Sequence, residues 1–280
     1  MEECDGMADP AEGTHGILEP GVARAHFELT RRAPDPALRD HVDRHWIVSW
    51  DLGERSFTQV ILPHPCVNLA SEPGLIAVYG IPTSRAPHEI SGSGVVVGTK
   101  FHPGGFAGFI DGPASALNDR KVPLPELFGD AGISLELELA SCAGDADRHI
   151  AAVESFLAER LPPPDPRYEI VRAVTRDMLH GAPGTTVAAL AERHAVSART
   201  LQRLFREYVG VGPKWVLKRY RMHEAAERIA SGEAADHAAL AADLGYFDQS
   251  HFIRDFSDQI GVSPGEYARA CAAAREGVVA

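Results

Sequence analysis

A duplicated frame constrains this chain more than any other feature. "TLQRLFREYVGVGP" at 200–213 returns as "HFIRDFSDQIGVSP" at 251–264, with Arg203/Arg254, Phe205/Phe256, Gly210/Gly261, Val211/Val262 and Pro213/Pro264 kept and the residues between them free to differ. Each copy reads as a short Ala/Leu helix, a tight turn and a longer second helix: 188–194 then 197–209, and 238–244 then 248–260. Leu190/Leu240, Leu201/Phe252 and Phe205/Phe256 fall inward at helical spacing. Leu204 matches Asp255, so that position is expected to be peripheral. Gly245 sits at the second turn, where positive φ is free of strain, whereas the first turn is one residue shorter and must use Ala195 or Val196.

A frame kept twice with a changing outer face suits a helix-turn-helix, whose second helix lies in the DNA major groove. The outward positions of the first copy are Ala198, Arg199, Gln202, Arg203 and Arg206; those of the second are Gln249, Ser250, Ile253 and Arg254. Arginine matches guanine O6 and N7, glutamine matches adenine N6 and N7, and an aliphatic side chain packs on a thymine methyl. Lys214, Lys218 and Arg219 follow as candidate phosphate contacts. The competing reading of these faces is plain solvation. It weighs most on the second copy, where Asp243, Asp248, Asp255 and Asp258 surround the helix. The first unit is therefore expected to supply most of the affinity, and the second to add selectivity or to contact polymerase.

The net charge of −12 argues at first against nucleic acid, but its distribution reverses that. Residues 167–221 carry 11 basic and 4 acidic side chains inside an otherwise acidic chain. Phosphate attraction reaches only about 8–10 Å in salt, so this local excess decides the matter. The four cysteines are scattered without a CxxC pair, which speaks against a zinc ribbon or disulfide framework. No apolar run approaches the ~20 residues that cross a bilayer, and "MEECDGMADPAEGTHG" lacks a signal peptide's basic and apolar regions. A cytoplasmic location is expected.

The expected fold class is α+β. Residues 1–21 read as a disordered tail, 22–161 as a β-rich sensor or dimerisation domain, 162–166 as a Pro-rich linker, 167–276 as an all-helical domain and 277–280 as a tail. "HWIVSWDL" (45–52), "FTQVILPH" (57–64), "LIAVYGIP" (75–82) and "GVVVGTKF" (94–101) predict strands of an antiparallel sheet or small barrel. Residues 135–161 predict helix broken near Gly144, with an apolar stripe at Ile150, Val153, Phe156, Leu157 and Leu161 that serves either a dimer or its own sheet. "PPPDP" stops that helix. Seven helices follow: 168–179, 186–194, 197–209, 213–230, 236–244, 248–260 and 263–276.

In "AALAERHAVSARTLQRLFREYVGVGPKWVLKRYRMHEA" and "AALAADLGYFDQSHFIRDFSDQIGVSPGEYARA" the chain resembles the AraC/XylS family of bacterial transcription regulators. The resemblance covers 168–276 and departs from the family at the first turn, which lacks glycine, and at Asp255. It implies two helix-turn-helix units joined by a rigid helix near 213–230, reading successive major grooves on one DNA face. "LRDHVDRHWIVSW", "VILPHPCVNLA" and "GTKFHPGGFAGFIDGPASALNDRKVPLPELFG" resemble a sensor-like domain attached to actinobacterial members of the family.

Other chemistry fares less well. His64, Cys66 and His102, with His88 as a fourth, lack a tight metal-ligand spacing and read as structural, so no metal and no cofactor is expected. "FHPGGFAGF" lacks the Lys-Ser/Thr ending of a phosphate loop and reads as a turn, while Trp46, Trp50 and Phe101 read as core. No GxSxG or HExxH is present, and no enzyme is expected. The reading is a sequence-specific transcription regulator with a double-stranded operator, and with RNA polymerase, a small-molecule effector and a second copy as candidate partners. The alternatives are a metal-dependent small β-barrel enzyme with a DNA-binding tail and a ligand-independent DNA-binding protein.

Overall fold

The computed structural model describes Leu18 and residues 20–142, 144–180, 184–234 and 236–277. The expected tails at 1–21 and 277–280 lie outside these residues except for Leu18, Pro20, Gly21 and Gly277. Leu18 is buried in the C-terminal core, and its carbonyl accepts from Gln59 Nε2 at 2.8 Å.

The β-rich and all-helical halves are both present. After a short turn of helix, α1 (Pro20–Ala23), come β1 (Glu28–Arg32), β2 (Val42–Ile61), β3 (Asn68–Glu72), β4 (Leu75–Tyr79), β5 (Ala86–Phe101) and β6 (Lys121–Pro123). They form one open antiparallel sheet in the order β1-β2-β5-β3-β4-β6. The runs at 45–52 and 57–64 are one strand, bent where the register shifts between Asp51 and Ser56 and where Gly53 takes φ +58°. β1, β3 and β6 were not expected, and β5 begins eight residues before the apolar run that signals it.

Alternation gives the sheet two unlike faces. Leu69, Val78, Val122, Val42 and Phe101 point to a core closed by α2 (Leu124–Phe128), α3 (Asp130–Ser141) and α4 (Ala146–Ala158). Gly144, at φ +84°, makes the turn between α3 and α4. The stripe Ile150, Val153, Phe156 and Leu157 is buried on its own domain, while Leu161 is exposed. Of the expected core aromatics only Phe101 is buried there; Trp46 and Trp50 lie half-buried on the opposite face of the sheet.

Beyond the proline stretch follow α5 (Pro166–His180), α6 (Val187–Arg193), α7 (Ala198–Leu204) with a π turn (Phe205–Val209), α8 (Pro213–Ser231), α9 (His237–Asp243), α10 (Gln249–Ile260) and α11 (Pro264–Gly277). They build two cores. The first takes Leu190, Leu201, Leu204 and Phe205; the second takes Leu240, Phe252, Phe256 and Tyr267. Helix α8 serves both, giving Val216, Leu217 and Tyr220 to the first and Met222, Ala225 and Ile229 to the second. A helix packed into both cores cannot bend without opening one of them, so it acts as a rigid spacer.

Candidate nucleic-acid interface

Both second helices start at a side-chain cap. Ser197 Oγ accepts from Thr200 N at 3.0 Å, and Asp248 Oδ1 accepts from His251 N at 2.7 Å. Both end at a left-handed glycine, Gly210 at φ +98° and Gly261 at φ +97°. The turns before them also match, because Val196 N bonds Ala191 O and Tyr246 N bonds Ala241 O, each at 2.9 Å. Ala195 occupies the first turn at φ +53°, where the second copy has Gly245 at φ +74°. The second copy's extra residue is Phe247, whose side chain is 98% exposed.

On α7 and its π turn Arg199, Gln202, Arg203 and Arg206 are all exposed. Arg203 is 64% exposed and 4.0 Å from Glu207, too loose a pair to hold it. On α10 Gln249, Ser250 and Arg254 are exposed, but Ile253 is half-buried against the second core, which limits its reach toward a thymine methyl. The equivalence of Leu204 and Asp255 also resolves differently from expectation. Leu204 is fully buried, and Asp255 is tied down by Lys218 at 2.7 Å and by the Tyr246 hydroxyl at 3.2 Å. Burial, with Asp255 alongside, raises the Tyr246 hydroxyl well above its ordinary range.

The phosphate candidates divide. Lys214 is exposed. Lys218 is held by Asp255. Arg219 is a correction: only 3% of it is exposed, its Nη1 donates to Pro63 O at 2.9 Å, and its guanidinium lies 4.3 Å from the Trp215 ring. Burial lowers its pKa to about 10. It braces α8 against the sheet domain and has no path to a phosphate.

Phe247 and His251, exposed at the N-terminal end of α10 beside Gln249 and Ser250, were not among the expected contacts. The one-residue length difference between the two turns was the available signal for Phe247.

The sheet domain touches both units at the C-terminal ends of their second helices, one residue apart in the repeat. Asn118 Nδ2 donates to Gly210 O at 2.8 Å, and Arg85 Nη1 donates to Ile260 O at 3.0 Å. The two loops that carry these residues are tied to each other by Asp119, which accepts from Thr83 N at 2.7 Å and Thr83 Oγ1 at 2.6 Å. Asp119 stands at φ +57°, a conformation that its short polar side chain tolerates. At the near end of the interface the Tyr168 hydroxyl donates to Asp40 O at 2.6 Å, and Arg172 pairs with the Asp40 carboxylate. The turn at 104–105 lies here too: a side chain on Gly104 would meet Val171, Tyr208 and Tyr168 at 3.1–3.4 Å.

The metal candidates are not brought together. His64, Cys66 and His88 line one cavity, but His102 instead meets Arg39 O at 3.2 Å, and His64 stacks on His223 of α8 at 4.1 Å. Burial pushes the Cys66 thiol up to about 12, far from a ligating thiolate. Among the described residues no three His, Cys, Asp or Glu side chains form a metal-binding group, and no helix is long and apolar enough to cross a membrane.

Two family models match, a domain of unknown function over residues 30–123 and a helix-turn-helix domain over 190–270. A Streptomyces lividans protein described as an AraC-like transcription regulator is 37% identical over 101 residues, covering 35% of this chain and 33% of that one. Over its C-terminal part the chain is therefore similar to AraC-like transcription regulators. The transcriptional activator RhaS of Escherichia fergusonii is 33% identical over 88 residues, 31% of each chain. The C-terminal domain of AraT, a response regulator from Geobacillus stearothermophilus, matches at 31% identity over 36% of this chain and 84% of that one, with a TM-score of 0.34. The match thus spans about a third of the length of these curated AraC-type relatives.

Proposed function

We propose that the chain is a cytoplasmic, sequence-specific DNA-binding regulator that reads two successive major grooves with α7 and α10, under the control of its sheet domain. The observation that carries this reading is a pair of capped helices with exposed arginine and glutamine, set on one spacer helix that is packed into both cores. A major groove admits one such helix, and its walls are lined by phosphates that the basic segment attracts. Operator DNA is the partner. Control through the sheet domain is supported by its hold on matching ends of both reading helices, through Asn118 and Arg85, and on the spacer helix, through Pro63 and His64. A signal that moves these loops changes how the two helices meet one duplex.

The test is selection of binding sequences with the full chain, followed by footprinting. The expected result is two protected segments on one face of the duplex, about 10 base pairs apart. A single short footprint, or protection independent of sequence, would refute the two-groove reading.

A further inference from the structure

The first turn runs from Val196 straight into the cap Ser197, whereas the second inserts Phe247 between Tyr246 and the cap Asp248. Phe247 is 98% exposed; among the described residues the next large apolar side chain, Leu137, is 68% exposed. A phenyl ring left wholly in water contributes nothing to the packing of the fold. The turn nevertheless holds it there. Gly245 takes φ +74°, Tyr246 N bonds Ala241 O at 2.9 Å, and the Tyr246 ring packs edge-on against Phe252 at 5.5 Å and His251 at 5.1 Å. On the other side the Asp248 carboxylate accepts from His251 N at 2.7 Å. Both neighbours of Phe247 are fixed, so the ring cannot roll toward Phe252 without giving up the Tyr246 packing or the cap. Its outward position is set before any partner arrives, and little conformational freedom is lost on contact.

The ring also stands at the end of the helix that meets DNA. The N-terminal residues of a groove-reading helix are those that reach base edges. Gln249 and Ser250, the first exposed residues of α10, follow Phe247 by two and three positions. A phenyl ring offers nothing to a phosphate, and the apolar group that a base pair presents in the major groove is the C5 methyl of thymine. Ile253, the aliphatic side chain on the outer face of α10, is half-buried against the second core. The first unit shows arginines and a glutamine instead, with no exposed large apolar side chain over 186–209.

We propose that Phe247 is a specificity residue whose ring packs on the methyl of a thymine in the second half-site, beside the bases met by Gln249 and Ser250. The inference rests on the reading of α10 as a groove-reading helix. It gives the extra residue of the second turn a role that the first turn lacks. It also gives the second unit, with the acidic Asp243, Asp248 and Asp258 exposed around its helix, an uncharged contact that needs no attraction to phosphate. A protein partner seated on Phe247 would cover Gln249 and Ser250, so the ring belongs to the DNA face.

The experiment replaces each thymine in the second half of a selected operator, one at a time, by deoxyuridine, which lacks only the methyl. Gel shifts then give the affinity of the full chain and of its Phe247→Ala variant. One thymine is expected to matter: losing its methyl should weaken the native chain about fourfold, the worth of one buried methyl group, and leave Phe247→Ala unaffected. On the unmodified site Phe247→Ala should bind about tenfold less tightly, with an unchanged melting temperature because the ring supports nothing in the fold. Phe247→Leu should keep most of the methyl effect. A second half without thymine, a deoxyuridine loss of equal size in Phe247→Ala, or coupling to Ile253→Val in place of Phe247 overturns the proposal. So does undiminished affinity of Phe247→Ala, which would mean that the ring serves a contact with polymerase or a second copy. A selection that returns no preferred sequence removes the groove reading and this inference together, whereas a preferred site with no coupled thymine removes this inference alone.

Discussion

At the residue scale the two reading faces are unequal, although their frames match. Arg203 stands among Arg199, Gln202 and Arg206, all exposed, while Arg254 shares its helix with the exposed Asp258 and the cap Asp248. Arg203→Ala is expected to weaken binding to a selected operator about 10-fold to 100-fold, the worth of a good arginine–guanine pair, and Arg254→Ala only a few-fold. Equal losses in a gel-shift titration would overturn the ranking. Arg219 separates packing from phosphate contact. Arg219→Ala should lower the melting temperature by opening the α8–sheet contact, yet leave the salt dependence of DNA binding unchanged; a shallower salt slope would return it to the phosphate set. Helical period exposed the reading residues in the sequence. It could not flag Arg219, because a third neighbour, the Pro63 loop, covers a position that both halves of the α8 pattern leave polar.

A buried histidine gives a prediction of another kind. Burial, with His45 nearby, holds His149 at about 4 against an ordinary 6.5. Between those values the unfolded chain binds a proton that the folded chain refuses. Stability is therefore complete above pH 6.5 and falls as pH drops through this window. Melting temperatures from pH 7.5 to 4.5 should decline more steeply for the native chain than for His149→Gln. Parallel curves would show that another group governs the loss.

At the element scale the two turns make a controlled pair. Ala195 takes a left-handed conformation at φ +53°, so Ala195→Gly should relieve strain and leave stability unchanged or raised by up to about 1 kcal/mol. Gly245→Ala faces the same dihedral cost, and its new Cβ would lie 2.6 Å from Gly184 Cα. It should destabilise by more than about 1 kcal/mol, and chemical denaturation of both variants checks the opposite signs. The helices were legible because caps, left-handed glycines and apolar spacing agree with one another. The sheet was less so: "DLGERS" carries the marks of a loop, but pairing with β5 carries β2 through it with a register shift. β1, reading "ELTRR", has too little apolar alternation to announce itself, because its face lines a cavity instead of a core. The same reasoning explains Trp46 and Trp50, whose size suggested burial and whose place depends on Gly98 and Gly94, far along the chain on β5.

At the scale of the whole molecule, two hydrogen bonds from one loop cluster reach the C-terminal end of each second helix, one residue apart in the repeat: Asn118 to Gly210 O and Arg85 to Ile260 O. Because Asp119 and Thr83 tie the loops together, the ends of both reading helices are referred to a common base as well as to α8. Docking two helices on one duplex costs less when their separation is already set, since less orientational freedom is lost. Arg85→Ala combined with Asn118→Ala should therefore weaken binding to a site with both grooves intact by several-fold, yet leave binding to a duplex carrying only the first half-site unchanged. Paired gel shifts on the two duplexes make the comparison. Equal losses on both would mean that the clasp supports only the fold of the first unit. No loss on either would mean that α8 alone sets the spacing, and control by the sheet domain would then need the route through Pro63 and His64.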